Sequence, residues 1–206
     1  WKQEWKSPGY FSVAQIAEMR GDFASSLNFV NRSIDANALN VRAYILKSAV
    51  LRHLDRADEA AGLVAFAREK CDPLDAGLMA EQWLSTKDAT VAKTLFSTIN
   101  IHPATGQETA SEYFNCGLWG DGAALLQQSI SYALDKAAVS PMIYYYLGYF
   151  EDKLGDASKA AYYRRQAMLQ SPEYVFPFQE EDIPVLNSAI AANPDDARAC
   201  YYLGDL

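Results

Sequence analysis

The chain has 206 residues, of which 50% are hydrophobic and 21% are charged. This composition supports a large apolar core and excludes disorder over most of the chain, because disordered chains are poorer in apolar and aromatic residues. The net charge of -8 argues against nucleic acid and anionic membranes as main partners. No window approaches the roughly 18 consecutive apolar residues that a membrane-spanning helix needs.

The two ends of the sequence predict a fragment of a longer chain. The sequence begins with Trp1 rather than with a Met, and it ends at Leu206 inside a predicted helix. Cys71, Cys116 and Cys200 lie far apart without a CxxC pair, which predicts buried small hydrophobic residues rather than disulfides or zinc ligands. The compartment is not determined, although such cysteines are consistent with a reducing one such as the cytoplasm.

A pattern of about 34 residues recurs from one end of the chain to the other. An aromatic or apolar residue opens each repeat, small residues follow, and a Gly-Asp or similar pair stands near the middle. The predicted repeats cover 7–39, 41–73, 74–103, 106–136 and 141–173, followed by two partial repeats over 178–194 and 196–206.

The fifth repeat carries the pattern most completely. Its characteristic residues, in order, are Tyr144, Leu147, Gly148, Gly155-Asp156, Ala160, Ala167 and Pro172. This spacing resembles the tetratricopeptide repeat (TPR), a helix-turn-helix unit of 34 residues. Two positions depart from the TPR pattern, since Glu151 and Arg164 stand where that family has aromatic residues.

The residue types of the repeat fit paired helices. Small side chains allow two helices to approach closely, and Gly followed by Asp ends one helix and caps the next. No segment alternates apolar and polar residues between hairpin turns, so no β-structure is predicted. The resemblance implies an all-α, right-handed TPR superhelix (an α-α solenoid) of antiparallel helix pairs, forming one repeat domain over residues 1–206.

The resemblance also implies a concave groove that is lined by the first helix of each repeat. The residues at groove positions that we select as candidate partner contacts are Tyr145, Tyr146, Tyr149, Tyr201, Tyr202, Arg42 and Arg52. Tyrosine is enriched at binding hot spots because it offers rigid apolar area and a hydroxyl group. The alternative is that neighbouring helices bury these rings. The two arginines predict a local basic spot in the groove. The sequence does not match the clamp of lysine, arginine and asparagine by which some TPR domains bind a peptide's terminal carboxylate.

A second candidate lies in the long connection after the fifth repeat, where Val175-Phe176-Pro177-Phe178 is entirely apolar. Phe176 and Phe178 could form a docking loop for a partner. They could equally pack over their own helix pair.

The sequence lacks the residue patterns of an active site. His53 and His102 have no acidic or thiol partner at helical spacing, and no HExxH, GxSxG or Walker motif is present. The glycines of 117–122 predict a helix-helix turn. The acids of 180–182 and 195–196 predict helix capping and solvation. We therefore expect a protein that is not an enzyme and that uses no cofactor or metal.

The sequence favours a non-catalytic TPR scaffold that binds a protein or peptide in its groove, with self-association as a further option and no nucleic-acid or membrane partner. An alternative arises from residues 175–178, 193–196 and 201–204. These resemble the repeat region of large bacterial proteins in which an upstream β-sandwich domain precedes the repeats. That resemblance implies an accessory or oligomerisation domain of a larger carbohydrate-related protein.

Overall fold

A computed structural model describes residues 5–206 as helices joined by short connections, and it contains no β-strand in that range. The prediction of an all-α fold is confirmed over these residues. The helices are α1 Lys6–Met19, α2 Phe23–Ala36, α3 Val41–His53, α4 Ala57–Lys70, α5 Ala76–Thr86, α6 Ala89–Ile101, α7 Pro103–Phe114, α8 Trp119–Tyr132, α9 Pro141–Lys153, α10 Ala157–Leu169, α11 Asp182–Ala192 and α12 Ala197–Gly204. A short 3₁₀ turn, Lys136–Ala138, precedes α9.

The helices belong to two compact units. The N-terminal unit runs to Leu95 and includes Asn115–Leu118, and the C-terminal unit comprises Phe96–Phe114 and Trp119–Leu206. In the N-terminal unit, successive helices from α1 to α5 pack on one another, and α3 also contacts α1 and α5. In the C-terminal unit, α9 packs on α7, α8, α10 and α11. Within each unit, a first helix therefore contacts both its own hairpin partner and the next first helix.

The net charge is confined to the C-terminal part of the sequence. Residues 96–206 contain six Lys and Arg against fourteen Asp and Glu, which gives -8, whereas residues 1–95 contain twelve of each. Since 115–118 carries no charged side chain, this acidic excess belongs to the C-terminal unit.

The predicted Gly-Asp turn is realised between α9 and α10. Gly155 has a φ of +83°, a left-handed conformation that glycine adopts without steric cost. The carboxylate of Asp156 then accepts a hydrogen bond from the backbone N–H of Lys159 at 3.0 Å and caps α10. That hydrogen bond is the main reason why the pKa of Asp156 lies below its usual value.

Small residues lie where helices approach most closely, as the repeat pattern predicts. A Cβ atom built on Gly148 would lie 2.9 Å from Cγ of Arg164 and 3.3 Å from the carbonyl oxygen of Ala160. A Cβ atom on Gly122 would lie 2.6 Å from the ring of Phe150. Glycine at these two positions therefore sets the spacing of α9 against α10 and of α8 against α9.

The two departures from the TPR pattern have polar partners. Glu151 is buried, and its carboxylate accepts a hydrogen bond from the side-chain amide of Gln127 at 2.8 Å. The guanidinium of Arg164 is also buried, contacts the carboxylate of Asp152 and donates to Ser188 Oγ at 2.8 Å. Hydrogen bonds thus replace ring packing at these positions.

The first helices form most of the core. Ten of the thirteen residues of α9 are buried, compared with three in α10. Because α9 has neighbours on several sides, residues along most of its surface are covered.

The cysteines follow the prediction of burial only in part: Cys116 is buried as predicted, whereas Cys200 is exposed. In the range 5–206, no helix combines the length and the apolar character that a membrane span requires.

Candidate functional site

Tyr145 and Tyr146, which were predicted to line an open groove, are almost fully buried. The Tyr146 hydroxyl donates to Asp182 Oδ1 at 2.8 Å, and the Tyr145 hydroxyl lies 3.0 Å from both carboxylate oxygens of Asp196. Burial is the main cause that raises the pKa of both phenols, and the neighbouring carboxylates raise it further. The prediction that these rings contact a partner is wrong, because residues at the starts of α11 and α12 cover them.

The two predicted tyrosines of α12, Tyr201 and Tyr202, differ in exposure. Tyr202 is fully buried, and its ring centroid lies 6.3 Å from that of Tyr145 in an edge-on arrangement. It is therefore part of the core rather than of a binding surface. Tyr201, by contrast, is 59% exposed, and its role as a partner contact stays a prediction.

The two arginines of the predicted basic spot differ in exposure and in their partners. The guanidinium of Arg52 binds Glu81 through two hydrogen bonds of 3.0 and 2.9 Å, and the carboxylate of Glu81 is fully buried. Arg52 thus forms an ion pair with a buried carboxylate, and its partner-contact role stays a prediction. Arg42 is exposed, with its guanidinium 5.0 Å from the ring centroid of Phe11, and its predicted role stays open to test.

Tyr149 is the predicted α9 residue that remains partly exposed. Its ring stacks on Phe114 at 5.1 Å and meets Trp119 edge-on at 5.9 Å. The Lys153 ammonium lies 5.0 Å from the Tyr149 centroid, within the range of a cation-π interaction. The partner-contact role of Tyr149 therefore stays a prediction.

The connection between α10 and α11 exposes three aromatic side chains. The exposed fractions are 90% for Tyr174, 72% for Phe176 and 50% for Phe178. Residues 171–178 are called the aromatic segment below. Phe176 and Phe178 are not extensively buried over their own helix pair, which was one of the two alternatives for them.

Hydrogen bonds hold both ends of the aromatic segment. The carboxylate oxygen Oδ2 of Asp182 accepts from the backbone N–H groups of Phe178 at 3.0 Å and Gln179 at 3.1 Å. Before the segment, the guanidinium of Arg198 donates to the carbonyl oxygen of Gln170. The exposed rings therefore project from a backbone that is fixed on either side. Asp182, expected to be solvated, is instead buried and connects this backbone to Tyr146.

A cleft of about 550 Å³ lies beside the aromatic segment and is called the aromatic cleft below. Its volume falls within the usual range of small-ligand sites. The lining is mostly apolar and includes Phe176 and Phe178. The other lining residues are Pro103, Ala104, Gln107, Ala137, Ala138, Val139, Ser140, Pro141, Ser171, Glu173, Tyr174 and Val175.

Gln107 is a buried polar side chain of this lining with an unpaired hydrogen-bond donor. It lies on α7, is only 5% exposed, and its amide nitrogen Nε2 is buried without a hydrogen-bond partner. Buried polar groups are nearly always paired in folded proteins. No residue pattern in the sequence singles out Gln107, because its burial arises from packing around α7.

Both histidines that the sequence analysis considered are exposed. His53 is exposed and its ring lies 5.8 Å from that of Phe23. Across residues 5–206, no group of three or more His, Cys, Asp or Glu side chains is arranged to hold a metal ion. Gly117 has a φ of +72° and lies in the turn between α7 and α8, as the helix-helix-turn interpretation predicts.

Several solved structures match the chain at low sequence identity. A MamA structure from Desulfovibrio magneticus RS-1 is 14% identical, with 79% of this chain and 93% of that chain covered and a TM-score of 0.44. A thermophilic TPR protein from Thermus thermophilus is also 14% identical, with 90% and 98% covered and a TM-score of 0.42. No protein-family model and no curated protein sequence matches the chain.

Proposed function

We propose that this protein is a non-catalytic helical-repeat scaffold that binds a protein or peptide partner. The observation that carries this proposal is the aromatic segment, where Tyr174, Phe176 and Phe178 are exposed next to the aromatic cleft. Contiguous apolar surface beside a cleft is typical of interaction sites, since exposing such area to water is unfavourable unless a partner covers it. The fixed backbone of the segment supports the same function, because ordered side chains lose less entropy on binding.

The first-helix face that the sequence analysis selected remains a second proposed contact surface. Its supporting observation is the half-buried stack of Tyr149 on Phe114 and Trp119. The exposed Tyr201 of the same unit belongs to this proposal, and the exposed Arg42 of the N-terminal unit is a separate proposed contact.

The test is selection of binding peptides from a displayed random-peptide library on the intact chain. Selected peptides are then measured against a Phe176→Ser/Phe178→Ser variant. The matched control is Phe66→Ser, which replaces a phenylalanine of similar exposure in the N-terminal unit. We expect the double variant to lose at least tenfold in affinity while the control binds normally, with unchanged circular dichroism in both.

Two results would contradict the proposal. One is failure of the intact chain to select any peptide. The other is a set of selected peptides that bind the double variant as well as they bind the unaltered chain.

A further inference from the structure

The unpaired amide of Gln107 is the first indication of what the aromatic cleft binds. A buried donor without an acceptor destabilises a folded protein. This donor belongs to a residue that lines a cleft open to a ligand. A ligand with a carbonyl oxygen at this point would satisfy it.

The apolar walls are the second indication. Pro103, Val139 and Phe176 lie around the same cleft as Gln107. The site therefore combines an amide hydrogen-bonding group with surfaces for apolar side chains. An extended peptide presents this combination, because carbonyl groups recur along its main chain between side chains.

Charge is the third indication. Glu173 lies on the lining of the aromatic cleft, and the unit that contains the cleft carries the whole net charge of -8. The exposed Glu108 follows Gln107 directly on α7. An anionic surface of this kind accelerates association with cationic partners and disfavours anionic ones.

We infer that the aromatic cleft binds an extended peptide segment in which apolar side chains stand next to Lys or Arg. Gln107 Nε2 donates to a main-chain carbonyl of that segment, Phe176 and Phe178 contact its apolar side chains, and Glu173 attracts its cationic side chain. This inference rests on the proposed function, that the chain binds a protein or peptide partner, and it adds the chemistry of the partner and the residues that select it.

The probes are capped octapeptides of one length, labelled with fluorescein, in which Leu and Phe alternate with Lys. A matched panel has Glu in place of every Lys. Binding is measured by fluorescence anisotropy to the unaltered chain and to Gln107→Met, which keeps the side-chain length and removes the amide. Gln128→Met is the control, since Gln128 lies on α8 and does not line the cleft. A third variant is Glu173→Gln.

We expect the lysine panel to bind and the glutamate panel to bind at least tenfold more weakly. Gln107→Met should lose about five- to tenfold in affinity, as expected for one hydrogen bond, while Gln128→Met should lose none. Because Gln107→Met removes an unpaired buried group, its thermal stability should be unchanged or higher, which a merely structural role for Gln107 would not give. Glu173→Gln should weaken lysine-peptide binding and reduce its dependence on salt.

Equal binding of the two panels, or undiminished binding by Gln107→Met, would overturn the inference. So would concentration-dependent dimerisation that Phe176→Ser abolishes, because a second copy of the chain would then occupy the cleft. If the random library yields binders that depend on Phe176 but are not cationic, the inference fails and the proposed function stands. If neither library nor panels yield a binder, the proposed function itself fails.

Discussion

The hydroxyl of Tyr146 on α9 donates a hydrogen bond to the buried carboxylate of Asp182, 36 residues later, at 2.8 Å. The other oxygen of the same carboxylate accepts from the backbone of Phe178 and Gln179. Tyr146 thereby fixes the end of the aromatic segment without lying on the surface.

Removing that hydroxyl should destabilise the fold. Tyr146→Phe leaves a buried carboxylate oxygen without its tyrosine donor, and we expect the free energy of unfolding to fall by about 1–3 kcal/mol. Urea denaturation measures this change in the free energy of unfolding. Tyr201→Phe is the control, because Tyr201 is exposed, and it should change stability by less than about 0.5 kcal/mol. Equal effects of the two substitutions would contradict the assigned role of the hydrogen bond.

High pH should destabilise the protein through the same tyrosines. The folded-state pKa values of Tyr145 and Tyr146 are raised above the value of about 10 in an unfolded chain. Their contribution is therefore complete below about pH 10 and is lost as the pH rises further, at up to about 1.4 kcal/mol per pH unit for each tyrosine. Urea denaturation at about pH 9 and 11 should show a smaller loss in Tyr145→Phe/Tyr146→Phe than in the unaltered chain. A Tyr174→Phe control, at an exposed position, should follow the unaltered chain.

Two glycines of α8 should respond oppositely to alanine. A Cβ on Gly122 meets the buried ring of Phe150, so Gly122→Ala should cost about 1–3 kcal/mol through overpacking. A Cβ on Gly120 meets nothing within 4 Å, so Gly120→Ala should be neutral or stabilising by up to about 1 kcal/mol. Thermal denaturation of both variants is the measurement, and a stabilising Gly122→Ala would contradict the packing argument.

The buried pair of Arg52 and Glu81 gives a fourth prediction. Arg52→Met removes the guanidinium from a fully buried carboxylate, and we expect a loss of about 3–5 kcal/mol. Arg56 and Glu59 form an exposed pair, so Arg56→Met should cost less than about 1 kcal/mol. Denaturation of the two single variants is compared. The double variant Arg52→Met/Glu81→Met should recover most of the loss, and failure to recover would mean that packing rather than charge accounts for it.

Local patterns predicted the helices well because their determinants are close in sequence. The turn at Gly155-Asp156, the cap that it provides for α10 and the close approach at Gly148 each depend on residues within one repeat.

The candidate site was predicted only in part, because burial depends on distant residues. Tyr145 pairs with Asp196, 51 residues away, and Arg52 pairs with Glu81, 29 residues away. No periodicity within a repeat contains this information. Phe176, selected for its apolar neighbourhood in a long connection, is exposed, whereas nothing in the sequence marks the unpaired amide of Gln107.

The link from Tyr146 through Asp182 to Phe178 has a practical consequence for mutational scanning. Truncating Tyr146 releases the carboxylate that fixes the end of the aromatic segment, so the exposed rings would shift even though Tyr146 itself touches no ligand. Such a variant would score as a hot spot in an alanine scan. Its loss of binding would report a displaced loop and not a lost contact, and only substitutions at the exposed rings themselves separate the two.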